Sequence, residues 1–235
     1  MRAEDGEDLL AGYVSGPAAA TEATAEALVR AVTARVVVLV EGVSDQIAVE
    51  TLACRRGRDL AGDGVVVLPV GGAHGVARCV RRFGSAGTGA RLAGLCDAGE
   101  AHVFRRALAD FFVCVEDLED ELIRAAGPAL VMEVFAAHGD LGAFRTMQGQ
   151  PAWRGRDEAA QLRRFLGAGA QRKLRYARLL TESISLDRMP EPLGALLAAV
   201  LRGGGALGEF LAAFRRSAAR NSPASSHHSK QLNLT

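Results

Sequence analysis

Aromatic residues are scarce in this chain: nine Phe, two Tyr and one Trp make up 5% of 235 residues. So few rings argue against a broad platform for stacking unpaired bases. The four cysteines (Cys54, Cys79, Cys96 and Cys114) form no CxxC pair, which argues against structural zinc and against a disulfide framework. Three of them lie in or beside apolar segments, where a reduced, buried thiol is ordinary. No apolar run approaches the ~18 residues that suggest a membrane span, and no basic-then-apolar leader opens the sequence. A soluble, cytoplasmic protein without a membrane partner is expected. Neither sign of charge is in surplus: 28 basic against 27 acidic residues leave a formal net charge of +1. Whole-chain charge is therefore silent about nucleic acid, and only a local basic patch could speak for it. Internal repeats are absent too.

What is present is apolar residues, 49% of the chain, enough for one sizeable core with a helical extension. Val36–Val40, Val65–Val70, Arg91–Cys96 and Phe111–Val115 are short apolar runs with the composition of strands. Between them Ser44–Arg56, Val76–Phe83 and Glu100–Leu108 carry helical patterns. That alternation predicts a doubly wound α/β fold with a parallel sheet of about four strands and flanking helices. The runs are continuously apolar, as in strands covered on both faces. Ahead of them, Ala18–Ala34 is alanine-rich and helical in composition, with a loop at Ser15-Gly16-Pro17. Behind them, Asp117–Ala126, Ala129–Ala137, Glu158–Leu166, Gln171–Ser183, Pro192–Leu201 and Leu207–Ser217 read as helices. The expected organisation is a helical segment over 1–35, an α/β core over 36–126 and a helical extension over 127–219. The polar tail over 220–235, with His227-His228, is expected to be disordered.

The chemistry concentrates where strands end. Open α/β sheets place their working groups just beyond the carboxyl ends of parallel strands. The first strand runs into Glu41-Gly42-Val43-Ser44-Asp45, and the third into Asp97-Ala98-Gly99-Glu100. Gly42 would allow a sharp turn that aims Glu41 at the sheet edge. Ser44 suits an N-cap and Asp45 suits the following helix dipole, which is the structural alternative to a metal role for Asp45. Asp97 or Glu100 has the same alternative, opening the next helix. After the fourth strand comes Glu116-Asp117-Leu118-Glu119-Asp120-Glu121, in which Glu116 and Asp117 stand nearest the strand end. Acidic groups after three strands suit oxygen-rich coordination of Mg2+ or Mn2+, and such ions align the oxygens of a phosphodiester. A magnesium-dependent phosphoryl-transfer site is the first expectation.

Val-Glu-Gly-x-Ser-Asp at residues 40–45, followed by the acidic strand end at Asp97, resembles the TOPRIM fold of topoisomerases, primases and OLD-family nucleases. The form is most similar to the OLD (overcoming lysogenization defect) branch, over Val36–Val115, about a third of the chain. Phe112–Leu122, Phe144–Gln148 and Lys173–Ala177 resemble actinobacterial standalone TOPRIM proteins described as nucleotidyl transferase/hydrolase domains. The resemblance implies Glu41 as general acid/base or metal ligand, and Asp45 and Asp97 as metal ligands. Glu100 and Asp117 are further candidate ligands. The family's second carboxylate, two positions after Asp97, is replaced by Gly99, and Glu100 stands one residue further on. OLD-type relatives also use a lysine after the sheet; Lys173 is the match and would stabilise the pentavalent phosphate. OLD proteins carry an ATPase ahead of this domain. No Walker A pattern occurs here, and 35 residues cannot hold an ATPase, so energy coupling would require a separate ATPase partner.

Arginines cluster at 55–58, at 78–82 and between 154 and 178. Arg172, Lys173 and Arg175 are close enough to share a helix surface and meet a DNA backbone. Gly71-Gly72-Ala73-His74-Gly75 could approach a phosphate, or be an ordinary strand-to-helix turn. The leading expectation is a Mg-dependent nuclease acting on DNA. Its rivals are a non-catalytic nucleic-acid-binding or regulatory module, favoured by Gly99, and an enzyme of small-nucleotide phosphoryl transfer.

Overall fold

The computed structural model describes residues 19–202. The loop expected at 15–17, the helix expected at 207–217 and the tail expected at 220–235 lie outside those residues.

Valine-rich runs make the sheet, because branched side chains fit a pleated surface covered on both sides. β1 (Val36–Val40) and β2 (Val65–Pro69) are buried at every position, and β3 (Arg91–Cys96) and β4 (Phe111–Val113) complete four parallel strands in the order β2-β1-β3-β4. Val36 to Val40 pair in register with Val65 to Pro69 on one side and with Arg91 to Leu95 on the other. β1 and β3 are thus the central strands, and their carboxyl ends lie side by side.

The connections are α1 (Ala19–Ala31) before β1, α2 (Val43–Arg55) to β2, α3 (Ala73–Phe83) to β3 and α4 (Ala101–Ala107) to β4. Parallel crossovers are right-handed. Stepping from β1 to β2 goes one way across the sheet, whereas stepping from β2 to β3 and from β3 to β4 goes the other. Handedness therefore puts α2 on one face, and α3 with α4 on the opposite face. The core agrees: Val76, Cys79 and Phe83 of α3 and Ala101 and Phe104 of α4 share one cluster with Val37, Leu39 and Leu68.

The helices that follow are α5 (Leu118–Ala126), α6 (Pro128–Ala137), α7 (Leu141–Gln148), α8 (Glu158–Leu166), α9 (Ala170–Ser183) and α10 (Glu191–Leu201). The sequence reading had placed no helix over α7. α10 packs on β3 and β4, and α9 packs along α2. The scarce aromatics are concentrated here. Phe135, Phe144, Phe165 and Tyr176, from α6, α7, α8 and α9, meet with ring centroids 4.9–5.4 Å apart. The Tyr176 hydroxyl donates to Asp140 at 2.7 Å. Arginines fasten the helices to the sheet layer. Arg91 donates to the carbonyls of Ala199 and Val200 near the end of α10, at 3.0 and 3.2 Å. Arg55 donates to Thr181 and Ile184 at the end of α9, at 2.7 and 2.5 Å. Each satisfies terminal carbonyls that a helix leaves without partners.

Gly94 of β3 lets α4 lie close, since a Cβ there would stand 2.6 Å from Phe104 Cδ1 and 2.7 Å from Leu108 Cδ1. Gly94→Ala is expected to destabilise the fold by about 1–3 kcal/mol through overpacking. Thermal melting reads the loss; an unchanged Tm would show that α4 does not press on β3.

Candidate metal centre at the carboxyl edge of the sheet

The strand order reverses direction between β1 and β3, so the crevice beyond their carboxyl ends is the switch point at which open α/β sheets bind ligands. Glu41 and Asp97 stand there, one residue past each strand. The Asp97 N–H donates to Glu41 Oε1 at 2.6 Å, a charge-assisted bond that ties the two strand ends together. Gly71 N–H donates to the Glu41 carbonyl at 3.1 Å, so the loop after β2 closes on the same edge. Gly71 (φ 67°) and Gly72 (φ 94°) both lie in the left-handed region that glycine alone adopts readily.

Asp45 is held by the start of α2. Gly42 is the N-cap, and its N–H donates to Asp45 Oδ2 at 2.8 Å, the back-reaching half of a capping box. Two expectations are corrected. Ser44 lies inside the helix rather than capping it. Gly42 is extended (φ −143°, ψ 179°), so its backbone needs no glycine. Asp45 nonetheless sits among the acids, only 8% exposed.

The electrostatics show which carboxylates converge. Burial pushes Asp45 up to about 7; the Gly42 N–H works against this, Glu119 adds to it, Lys173 opposes it and Glu41 adds to it again. Asp97 also rises to about 7, through burial and then repulsion from Glu41, Asp45, Asp117 and Glu119. Glu41 is raised by burial, against the Asp97 N–H and with repulsion from Glu100. Glu119 is raised by burial, against the attraction of Lys173. Lys173 Nζ lies 3.2 Å from Glu119 Oε2. Burial disfavours the lysine's charge, but Glu119, Asp45 and Asp97 outweigh that and hold its pKa above the ordinary value.

Glu119 is the residue that sequence reasoning passed over in favour of Glu116 and Asp117. Glu116 is exposed, 3.8 Å from Arg163. Asp117 caps α5, accepting from the Asp120 N–H at 2.8 Å through Oδ1, while Oδ2 takes Arg163 at 2.6 and 2.9 Å. Once Asp117 is the cap, Glu119 occupies the first turn, where helix side chains point back toward the N-terminus and the strand ends. The Asp117/Asp120 spacing was the available signal. Arg172, Lys173 and Arg175 do not form a shared outward surface, because each is used within the protein. Arg172 lies 4.1 Å over the Phe165 ring and donates to the Phe165 carbonyl, and Arg175 donates to Asp140 and the His138 carbonyl. The His74 side chain falls outside the described residues.

The donor chemistry is that of a hard-cation site. The groups are carboxylate oxygens, the donors that hard cations select. Glu100 Oε2 and Glu119 Oε1 are buried with no hydrogen-bond partner, and such groups are costly to leave so. Yet among the described residues no group of three His, Cys, Asp or Glu side chains is placed to hold a metal ion. The acids are within repulsive range of one another, not in ligand contact. Beside them a cleft of about 600 Å3 is lined by Asp117, Glu119, Trp153, Arg163, Arg164 and Lys173, among others.

The crowding has a measurable consequence. Asp45 and Asp97 bind protons more tightly folded (about 7) than at their ordinary value of 3.8. Their contribution to stability is therefore present at low pH and falls as pH rises from near 4 through about 7, because the unfolded chain then releases protons more readily. Asp97→Asn is expected to raise Tm at about pH 8 without divalent cations and to flatten the pH dependence of Tm between about pH 5 and 8. An unaltered profile in the variant would refute the raised pKa of Asp97, which burial and then its acidic neighbours produce.

Comparison with known proteins follows the same lines. The family model of the overcoming lysogenization defect protein-like TOPRIM domain matches residues 33–98, the span that holds β1 to β3, Glu41, Asp45 and Asp97. No curated protein matches the chain. Among solved structures, the C-terminal region of the Burkholderia pseudomallei OLD protein is 19% identical with a TM-score of 0.52, over 71% of this chain and 96% of that one. The C-terminal region of the Xanthomonas campestris pv. campestris OLD protein, phased with platinum, is 21% identical with a TM-score of 0.53, over 79% and 97%. Among the described residues no helix is long and apolar enough to cross a membrane. Residues 33–98 thus match the OLD-like TOPRIM domain model, and the chain shares the α/β fold of the C-terminal regions of OLD proteins.

Proposed function

We propose that this protein binds a divalent cation, Mg2+ or Mn2+, beyond β1 and β3 and hydrolyses or transfers phosphodiesters in DNA. The observation that carries the reading is the gathering of carboxylates from separate elements, Glu41, Asp45, Asp97 and Glu119, with Lys173 beside them. The OLD-like TOPRIM match over residues 33–98 supports a nuclease-type reading. A bound divalent cation supplies Lewis acidity toward phosphate oxygens and lowers the pKa of water. Asp45 and Asp97 are the ligands in this reading, with Glu100 turned inward as a further donor. Glu41 keeps Oε1 on the Asp97 N–H, which leaves Oε2 to take a proton or a ligand. Lys173 offsets negative charge developing on the phosphate. Asp117 enters the donor set only if it releases Arg163.

A specific observation favours a second reading, a binding module without cleavage: Gly99 supplies no carboxylate, and Asp117 is engaged by Arg163. Plasmid cleavage separates the two. With Mg2+ or Mn2+ the wild type is expected to nick or linearise supercoiled DNA, and Glu41→Ala and Asp97→Ala are expected to lose that activity. Equal cleavage by the variants would place the chemistry elsewhere. Duplex binding without any cleavage would favour the module.

Gly99 also offers a gain-of-function test. A Cβ at position 99 meets nothing within 4 Å, and the residue is exposed. Gly99→Asp is expected to tighten Mn2+ binding, measured by titration calorimetry, by about tenfold or more, the effect of ~1.4 kcal/mol. Unchanged affinity would mean that position 99 does not face the ion.

A further inference from the structure

α3 and α4 pack against each other on one face of the sheet, opposite α2. Their outer surfaces carry five exposed arginines, Arg78, Arg81 and Arg82 on α3 and Arg105 and Arg106 on α4. None of these arginines forms an ion pair with a described residue; every ion pair found involves other cations. Acid is missing from the same stretch. From Gly64 through Cys96, and again from Ala101 through Ala109, the sequence has no Asp or Glu. In a chain of net charge +1, this is a segregation of charge: acids at the sheet edge, unpaired arginines along one flank. The α3–β3 connection between the helices, Gly84-Ser85-Ala86-Gly87-Thr88-Gly89-Ala90, has only small side chains, so a rod-shaped polyanion can approach closely. Arg78, Arg81 and Arg82 are spaced i, i+3 and i+4, on one side of α3.

Helix dipoles favour cations in a last turn, and that accounts in part for Arg81, Arg82, Arg105 and Arg106. It does not account for Arg78, which lies ahead of the last turn, nor for the absence of Asp and Glu from α3 and α4 themselves. Both helices start at the carboxyl edge, at Gly72 and Glu100, and run away from it. At 1.5 Å per residue the arginines stand roughly 8–15 Å along the helices from that edge. The distance matches about two to four base steps of duplex at 3.4 Å each.

We propose that the α3–α4 face holds the phosphate backbone of duplex DNA, a few base steps from the carboxylate edge. The choice of DNA among polyanions rests on the phosphodiester reading of the site. The contacts are to phosphate, so binding is sequence-tolerant and strongly salt-dependent.

The test is binding of a mixed-sequence fluorescent duplex in Ca2+, titrated over a range of salt, by the full chain. Arg81→Gln/Arg82→Gln and Arg105→Gln/Arg106→Gln are each expected to weaken binding and to reduce the slope of log K against log salt by about 2. Arg145→Gln, an exposed change on α7, is expected to leave the slope unaltered. Thermal melting confirms that all variants fold. The same differences in slope are expected when EDTA replaces Ca2+, so a failure of the cleavage proposal leaves this surface intact and measurable. Wild-type slopes in both arginine pairs would overturn the inference. So would an equal loss in Arg145→Gln, which would make the attraction a matter of net charge alone.

Discussion

The Asp97 N–H bonded to the Glu41 carboxylate is the contact around which the site is arranged. It joins the ends of the two central strands, and it can form only because β2-β1-β3-β4 order makes those strands neighbours. Fixing Glu41 there has an electrostatic price. A carboxylate at the mouth of a valine-lined sheet is partly desolvated, and each further acid brought to the edge raises the others. Asp45 meets this repulsion while serving as the capping acid of α2, so its position is dictated by helix initiation as much as by the site. A local structural role and a ligand role are therefore compatible in one side chain.

The counter-charge arrives from far along the chain. α9 packs along α2 and delivers Lys173 opposite Asp45 and Glu119. That placement depends on the aromatic cluster of Phe135, Phe144, Phe165 and Tyr176 and on Arg55, which holds the end of α9 from the end of α2. The packing of the helical part thus sets where the Lys173 ammonium stands. An ammonium is a compact point charge on a flexible stem, unlike a planar guanidinium with a preferred fork geometry.

Legibility from the sequence followed the locality of each pattern. A short apolar run ending in an acid is a local signal, and it located Glu41 and Asp97 at the sheet edge. Strand–helix alternation likewise gave the α/β class and the parallel sheet. What escaped was set by distant partners. Glu119 is turned toward the site by capping at Asp117, and Asp117 is itself engaged by Arg163, 46 residues away. Arg172 and Arg175 read as a surface pair because helical spacing cannot reveal that Phe165 and Asp140 lie beneath them. Glycine at position 42 suggested a sharp turn, but extended backbone stands there.

The distribution of cations completes the physical picture. Arg55 and Arg91 are used on helix carbonyls, Arg163 on Asp117 and Arg175 on Asp140. Lys173 stands with the crowded carboxylates, while the exposed arginines of α3 and α4 lie on the opposite flank of the sheet. Exposed charges separated by more than a Debye length, about 8–10 Å in ordinary salt, are largely screened from one another. At Glu41 and Asp45 the attracting cation is Lys173 and not the arginine flank. The two charge systems can act independently: one attracts a polyanion over the surface, and the other retains a local deficit of positive charge that a small cation can fill.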